Sequence, residues 1–262
     1  MARNATADAR PPVVFRLAGD VVRWLLLSEL AGSDRRVWEL TTAVRRPQSL
    51  VSYHLRQLRS AGLVSVRRSS FDGRDSYYSL DLGRFGELLA DAGTALHPAL
   101  ASRPVSLAET KRRGRPAKVL FLCTGNSARS QIAEALTERL SGGRVAAASA
   151  GSRPKSLHPN AVQVLRERGI DIAGRRSKHL DEFTGQRFDY VITLCDRVRE
   201  VCPEFPGSPD QIHWSIPDPA RAGADDAEAY PAFEETANEL AVRIPFLLKR
   251  IEHHTAQEVT ET

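Results

Sequence analysis

A cysteine at position 123 is followed by "TGNSA", then by Arg129 and Ser130. A thiol and a guanidinium six positions apart, joined by small polar residues, can close around a small tetrahedral anion. Arg129 can offer a bidentate fork to two of the anion's oxygens, and Gly125 and Asn126 are residue types that tolerate the positive φ a tight wrap demands. Consecutive backbone N–H groups backed by a helix N-terminus make such a loop an anion cradle. Thr124, Gly125, Asn126, Ser127, Ala128, Arg129 and Ser130 are therefore the candidate oxyanion-binding positions. The same field favours thiolate over thiol at Cys123, lowering its pKa below the free value of about 8.5, and Ser130 can add a hydrogen bond. A buried strand-end cysteine without function is the plainer reading, but it leaves the Cys-x5-Arg-Ser spacing unexplained.

These residues need a strand before them and a helix after them. "KVLFLC" has the continuous apolar run of a buried parallel strand and "SQIAEALTERL" the period of a helix, which puts Cys123 to Arg129 in the strand-to-helix turn. The other two of the three cysteines are Cys195, ending the apolar strand "DYVITLC", and Cys202, in "CDRVREVCP". Taken singly, these two could be a core strand-end residue and an incidental surface thiol. Three cysteines, an odd number, do not suggest the disulfide scaffold of an exported protein. His158, His179, His213, His253 and His254 have no metal-ligand spacing with cysteine, so no metal and no resident cofactor is expected, and Trp214 is expected to pack rather than bind.

The loop, with "HWSIPDPA" downstream, resembles the low-molecular-weight protein tyrosine phosphatase superfamily over about 118–252. The resemblance implies a doubly wound α/β domain with a parallel sheet and gives Asp218 the role of general acid. Within that superfamily, "CTGNSARSQIAEA" and the Cys-x6-Cys pair resemble thioredoxin-coupled arsenate reductases. No aromatic-rich stretch follows Asp-Pro to grip a phenyl ring. The resemblance then implies that Cys123 attacks arsenate, Cys195 attacks Cys123 and expels arsenite, and Cys202 attacks Cys195, leaving a disulfide for external thioredoxin. A low-molecular-weight phosphatase and a non-catalytic oxyanion or redox sensor are the alternatives. A continuous helix from 195 to 202 would hold the two Cα atoms about 10 Å apart, beyond the ~7 Å a disulfide tolerates, so that segment is expected to unwind, losing protection over 195–205 on oxidation. Two departures stand out. Ala128 replaces a second loop cysteine of many relatives. Relatives with a potassium site use Asn, Glu, Ser and Asp, where this chain has Asn126, Glu134, Ser149 and Lys178. An ammonium at Lys178 predicts activity insensitive to potassium.

The first half carries a different pattern. Residues 1–117 hold 19 Lys/Arg against 11 Asp/Glu, a net +8, and residues 118–262 hold 18 against 21, a net −3. A basic half is a nucleic-acid candidate, though a solvated basic surface fits the charge equally. Residues 13–31 and "RVWELTTAVRR" have helical spacing. In "RPQSLVSYHLRQLRSAGL" the residues Leu50, Val51, His54, Leu55 and Leu58 form one apolar stripe and leave a polar face for a major groove. Gly62 stops that helix, and "LVSVRR" and "SYYSLDL" flank an Asp72-Gly73 hairpin turn. The candidate DNA contacts are Gln48, Ser49, Ser52, Tyr53, His54, Arg56 and Gln57 on the helix, and Arg67, Arg68 and Arg74 on the hairpin. This pattern resembles the ArsR family of winged helix-turn-helix regulators, which implies binding of double-stranded DNA as a homodimer. A winged helix used for protein contact alone is the other reading. That family often senses As(III) through a Cys-Val-Cys-Glu-Leu stretch; here "RVWEL" puts Arg36 and Trp38 at the cysteine positions, so that thiolate site does not carry across.

The expected organisation is multidomain: a mostly α winged helix-turn-helix with a β wing over 1–100, a basic linker over 101–117, the α/β domain over 118–252 and a flexible tail over 253–262. Arg113 and Arg115 in "KRRGRPAK" fit either the core of an AT-hook reading a narrow minor groove or a solvated basic linker. No apolar stretch escapes interruption by charge long enough to span a membrane, and a cytoplasmic protein is expected.

Overall fold

The computed structural model describes residues 10–71, 73–97, 100 and 115–260. The chain divides into two compact units, residues 1–67 with 76–111 and residues 68–75 with 112–262. Arg113, Asp72 and most of the expected linker lie outside the described residues.

In the first unit, the helix expected over 13–31 is two: α1, Val13–Ala18, and α2, Val21–Gly32. The break falls at Gly19-Asp20, because Asp20 caps the second helix by accepting the backbone N–H of Arg23 at 3.0 Å. A two-residue strand β1, Arg35–Arg36, leads into α3, Val37–Val44, and α4 follows as Gln48–Ser60. Gly62, at φ 70°, turns the chain into β2, Val64–Arg68, which is followed by β3, Ser76–Leu80, and α5, Leu82–Leu96. The sheet order is β1-β3-β2. Leu26, Leu30, Leu40, Val51, Leu55, Leu58 and Leu63 form its core. Strand β1 was not legible in the sequence: two arginines pair with Tyr77 and Tyr78, and only the partner strand makes them extended.

The second unit alternates strand and helix: β4 Ala117–Cys123, α6 Arg129–Ser141, β5 Val145–Gly151, α7 Pro159–Arg166, β6 Tyr190–Thr193, α8 Asp196–Glu200, β7 Asp210–His213 and α9 Asp226–Thr260. All pairings are parallel and the order is β5-β4-β6-β7. Strands β5 and β6 thus flank β4, and a doubly wound sheet presents its ligand crevice beyond the carboxyl end of the strand where winding reverses. Cys123 ends that strand. Phe121, Leu122, Ile132, Leu165, Ile192, Phe233 and Leu240 are fully or almost fully buried around the sheet. Helix α9 runs on through Thr260, so 253–260 continue a helix where a tail was expected. His254 within it meets the Tyr190 hydroxyl at 2.9 Å.

Candidate functional site

Strand β4 delivers Cys123, and the chain then turns sharply before α6 begins at Arg129. Asn126 makes the turn in the left-handed region at φ 46°. Gly125 does not, contrary to expectation; a Cβ there would approach Ser127 Oγ to 3.0 Å, a tight contact that a small shift of that hydroxyl relieves. A second glycine that the sequence reading missed shapes the loop from outside. At Gly151, the end of β5, a Cβ would lie 2.7 Å from the Thr124 carbonyl and 2.8 Å from the Asn126 nitrogen, so any side chain would push the loop off the sheet.

The loop's carbonyls face away from its mouth. Thr124, Gly125 and Ser127 accept from the backbone N–H groups of Arg153, Lys155 and His158 at 2.8, 2.9 and 3.0 Å. The Asn126 N–H donates to Cys123 Sγ at 3.2 Å, and Ser130 Oγ lies 3.0 Å from the same sulfur. Behind them a buried chain of polar groups fixes the loop. The Asn126 amide nitrogen donates to Ser130 Oγ and Ser149 Oγ, each at 2.8 Å. Ser149 donates to Glu134 at 2.5 Å, and Lys178 Nζ reaches both Glu134 oxygens at 3.2 and 3.0 Å. Asn126, Glu134, Ser149 and Lys178 are thus one connected group, with the ammonium on the carboxylate.

Arg129 is 5% exposed. Its Nη1 donates to the Ile216 carbonyl at 2.9 Å and its Nη2 lies 3.3 Å from the Asp218 carboxylate. Burial would lower the pKa of this guanidinium, but its electrostatic interactions with Cys195, Cys123, Asp218 and Asp196 outweigh that and raise the pKa. Asp218 precedes a single 3-10 turn, Pro219–Arg221, and its carboxyl is about two-fifths exposed, at 38%. One guanidinium therefore ties the loop to the acid-bearing segment.

Strand β6 pairs with β4 up to Leu122 opposite Thr193, and the Leu194 N–H donates to the Leu122 carbonyl at 2.7 Å. Adjacent parallel strands thus deliver Cys123 and Cys195 to the same edge. Cys195 Sγ lies 3.3 Å from Thr124 Oγ1. Its pKa is raised, chiefly by burial, with the Arg129 charge opposing. Helix α8 is shorter than the continuous 195–202 helix considered above: Cys195 is its N-cap and it ends at Glu200, so Cys202 lies beyond it. Burial pushes the Cys202 thiol up to about 11. All three cysteines are free thiols. Trp214 packs on Phe121, with ring centroids 6.3 Å apart, and Arg243 covers its ring.

In the first unit, Gln48, Ser49, Tyr53 and Arg56 are exposed on α4, and Ser52 is half-buried. His54 is not available to DNA: it is 6% exposed, with Nδ1 3.7 Å from Asp20 in the junction of α2 and α4. Leu50, expected in the apolar stripe, is instead 37% exposed. Gln57 is partly committed inward, accepting from Arg23 Nη1 at 2.8 Å while donating to the Tyr53 hydroxyl at 2.7 Å. On the hairpin, Arg67 of the first unit is half-buried, and Arg68 and Arg74, which group with the second, are exposed. Arg115 is held by Asp189 at 2.7 Å in the second unit, which counts against its being free to follow a minor groove. Arg36 Nε donates to the Tyr77 hydroxyl at 2.8 Å and Trp38 is 53% exposed.

Residues 118–257 match the family model described as low molecular weight phosphotyrosine protein phosphatase. That match spans more than half of the chain and contains the whole loop, both strand ends and Asp218. The chain belongs to this family. Within the family it is similar to an arsenate reductase of Halalkalibacterium halodurans, 39% identical over 126 residues, which are 48% of this chain and 91% of that protein. It is likewise similar to an arsenate reductase of Bacillus subtilis, 37% identical over 126 residues and again 91% of that protein. A solved arsenate reductase in its oxidised state matches with 30% identity over 51% of this chain and 98% of that one, at a TM-score of 0.46. Residues 20–66 match the arsR family of bacterial regulatory proteins, so a winged helix-turn-helix precedes the phosphatase-family domain. Among the described residues no helix is long and apolar enough to cross a membrane, and no group of three or more His, Cys, Asp or Glu could hold a metal ion.

Proposed function

We propose that the second unit reduces arsenate to arsenite through a relay of three cysteines recharged by thioredoxin, and that the first binds double-stranded DNA as a homodimer. The observation that carries the reading is the second thiol. Cys195 is brought to the rim of the anion loop by the strand next to the one that carries Cys123, with its sulfur against Thr124. Phosphoester hydrolysis has no use for a thiol there, whereas expulsion of arsenite needs a thiol to attack Cys123, and Cys195 is placed to supply it within the chain.

In this reading the Cys123 sulfur attacks arsenic and one arsenate oxygen leaves as water, protonated from Asp218. Arg129 and the loop N–H groups hold the remaining oxygens, as preorganised donors do in other oxyanion sites. Cys195 then attacks Cys123: the S–S bond forms, the S–As bond breaks, and its electron pair stays on arsenic, which departs as arsenite. Cys202 attacks Cys195 and frees Cys123. The two electrons given to arsenic are thus owed by a Cys195–Cys202 disulfide, which thioredoxin reduces by thiol–disulfide exchange. The curated relatives named arsenate reductase support this assignment. For DNA, the exposed Tyr53 and Arg56 on α4 supply the groove face.

The test is arsenate-dependent consumption of NADPH in the presence of thioredoxin and thioredoxin reductase. Steady turnover is expected. Rapid hydrolysis of p-nitrophenyl phosphate without arsenate-dependent NADPH consumption would assign the site to ester hydrolysis instead.

A further inference from the structure

Asp196, directly after Cys195, takes no part in the relay chemistry described above. An acidic residue in the first turn of a helix is commonly an exposed partner of the helix dipole. This one is different: its side chain is 3% exposed. On Oδ1 it accepts a hydrogen bond from Ser215 Oγ at 2.8 Å, with His213 Nε2 3.2 Å away, and on Oδ2 it accepts from the Ser70 backbone N–H at 2.6 Å and hydroxyl at 3.0 Å. Because an ionised carboxylate only accepts, Nε2 carries the proton. The other ring nitrogen of His213 is fixed by Thr193, whose hydroxyl and carbonyl oxygens lie at 2.9 and 3.1 Å. His213 ends β7, and Ser215 begins the segment that carries Ile216 and Asp218. Burial would raise the pKa of Asp196, but hydrogen bonds, led by that from His213, hold it well below the usual carboxylate range.

Helix α8 has five residues, too few to be stable without tertiary ties. What fixes the direction of Cys195 is therefore the anchoring of its neighbours. We infer that Asp196, clamped by His213 and Ser215, is a positioning residue for the second thiol transfer: it holds Cys195 docked against the oxyanion loop and keeps that segment in register with the segment bearing Asp218. The inference rests on the arsenate reduction proposed above. It assigns to this clamp the step in which Cys195 Sγ bonds to Cys123 Sγ and the S–As bond breaks. Anion capture is left to Cys123, Arg129 and the loop, none of which Asp196 touches, and of the four groups whose interaction raises the Arg129 pKa Asp196 has the smallest effect. Displacing a reacting atom by about 1 Å can cost on the order of 100-fold in rate, so loosening the clamp should be visible in that step alone.

The experiment mixes the reduced full-length chain with one equivalent of arsenate without thioredoxin and measures arsenite released against time. In parallel, phosphate is titrated as a protectant of Cys123 against iodoacetamide. In Asp196→Asn and in Ser215→Ala, arsenite release is expected to slow at least tenfold, with the half-protecting phosphate concentration within twofold of wild type. Release within twofold of wild type in both variants overturns the inference. So does a slowing accompanied by an equal loss of phosphate protection, which would make the clamp merely structural. A wild-type chain that binds phosphate but releases no arsenite instead overturns the reduction itself, and is told apart because it needs no variant.

Discussion

Replacing Lys178 tests whether the ammonium on Glu134 is an internal counter-ion of the loop. Lys178 and Glu134 have side chains 18% and 9% exposed, with Nζ at 3.2 and 3.0 Å from the two carboxylate oxygens. Removing one member of a buried ion pair costs roughly 3–5 kcal/mol, because a desolvated charge is left behind. Two features reduce that figure. Lys178 retains some solvent contact, and Arg175 Nη1 already lies 3.6 Å from Glu134 and can take up part of the charge. A cost of about 2 kcal/mol for Lys178→Met follows, and at ~2–4 °C per kcal/mol for a domain of this size the midpoint of thermal unfolding should fall by about 4–8 °C. Lys178→Asp should cost at least as much in tetramethylammonium, since two carboxylates would then face each other. Potassium should restore it: a cation at a hundredfold its dissociation constant stabilises by about 2.7 kcal/mol. Calorimetry in matched potassium and tetramethylammonium chloride makes the comparison, with arsenite release as a second readout. Wild type should respond to neither salt. A wild-type chain stabilised by potassium, or a Lys178→Asp chain indifferent to it, would refute the reasoning.

Further outcomes follow from the same geometry. With its thiol pushed up to about 11 by burial, Cys202 rests protonated at neutral pH. The thiolate fraction, and with it the rate of Cys195–Cys202 disulfide formation in quenched single turnovers, should rise about tenfold per pH unit and keep rising past pH 9; a plateau near 8.5 would mean that Cys202 is already exposed at rest. Because the helical turn of α8, Asp196–Glu200, still separates Cys195 from Cys202, closing the disulfide should loosen that segment, and amide exchange over 195–205 should be faster in the oxidised chain; equal protection in both states would count against it. On the first unit, Arg56→Ala should weaken binding to duplex DNA roughly tenfold and reduce the salt slope by about one. His54→Ala should instead lower the stability of the helix-turn-helix, because His54 is buried, and an unchanged melting curve with altered DNA preference would reverse that assignment.

The sequence placed the loop well because its chemistry is local. Cys123, Arg129 and Ser130 belong to one turn, and an apolar run followed by a helical period fixes where that turn must be. Cys195 was legible for the same reason, as the last residue of an apolar run. What it could not display is the set of contacts that only packing creates. Gly151 is 28 residues from Cys123, and its lack of a side chain has meaning only because β5 lies against the loop. Asp196, His213 and Ser215 are unremarkable polar residues until β6 and β7 pair and bring them together. His54 shows the converse failure. Its position on the helical stripe pointed inward, its chemistry pointed to DNA, and burial against Asp20 settles the matter in favour of periodicity. Strand β1 exists only because β3 pairs with it, so local propensity had nothing to report.

The relay itself is tested most directly by trapping its intermediates. The reduced chain and its Cys123→Ser, Cys195→Ser and Cys202→Ser variants are each given one equivalent of arsenate without reductant, quenched with acid and read by mass spectrometry, with released arsenite measured alongside. Wild type should release one arsenite per chain and hold a Cys195–Cys202 disulfide. Cys202→Ser should release the same amount and hold a Cys123–Cys195 disulfide, and the other two variants should release none. Arsenite released by Cys195→Ser at the wild-type rate would contradict the account, because the sulfur against Thr124 would then have no part in the reaction.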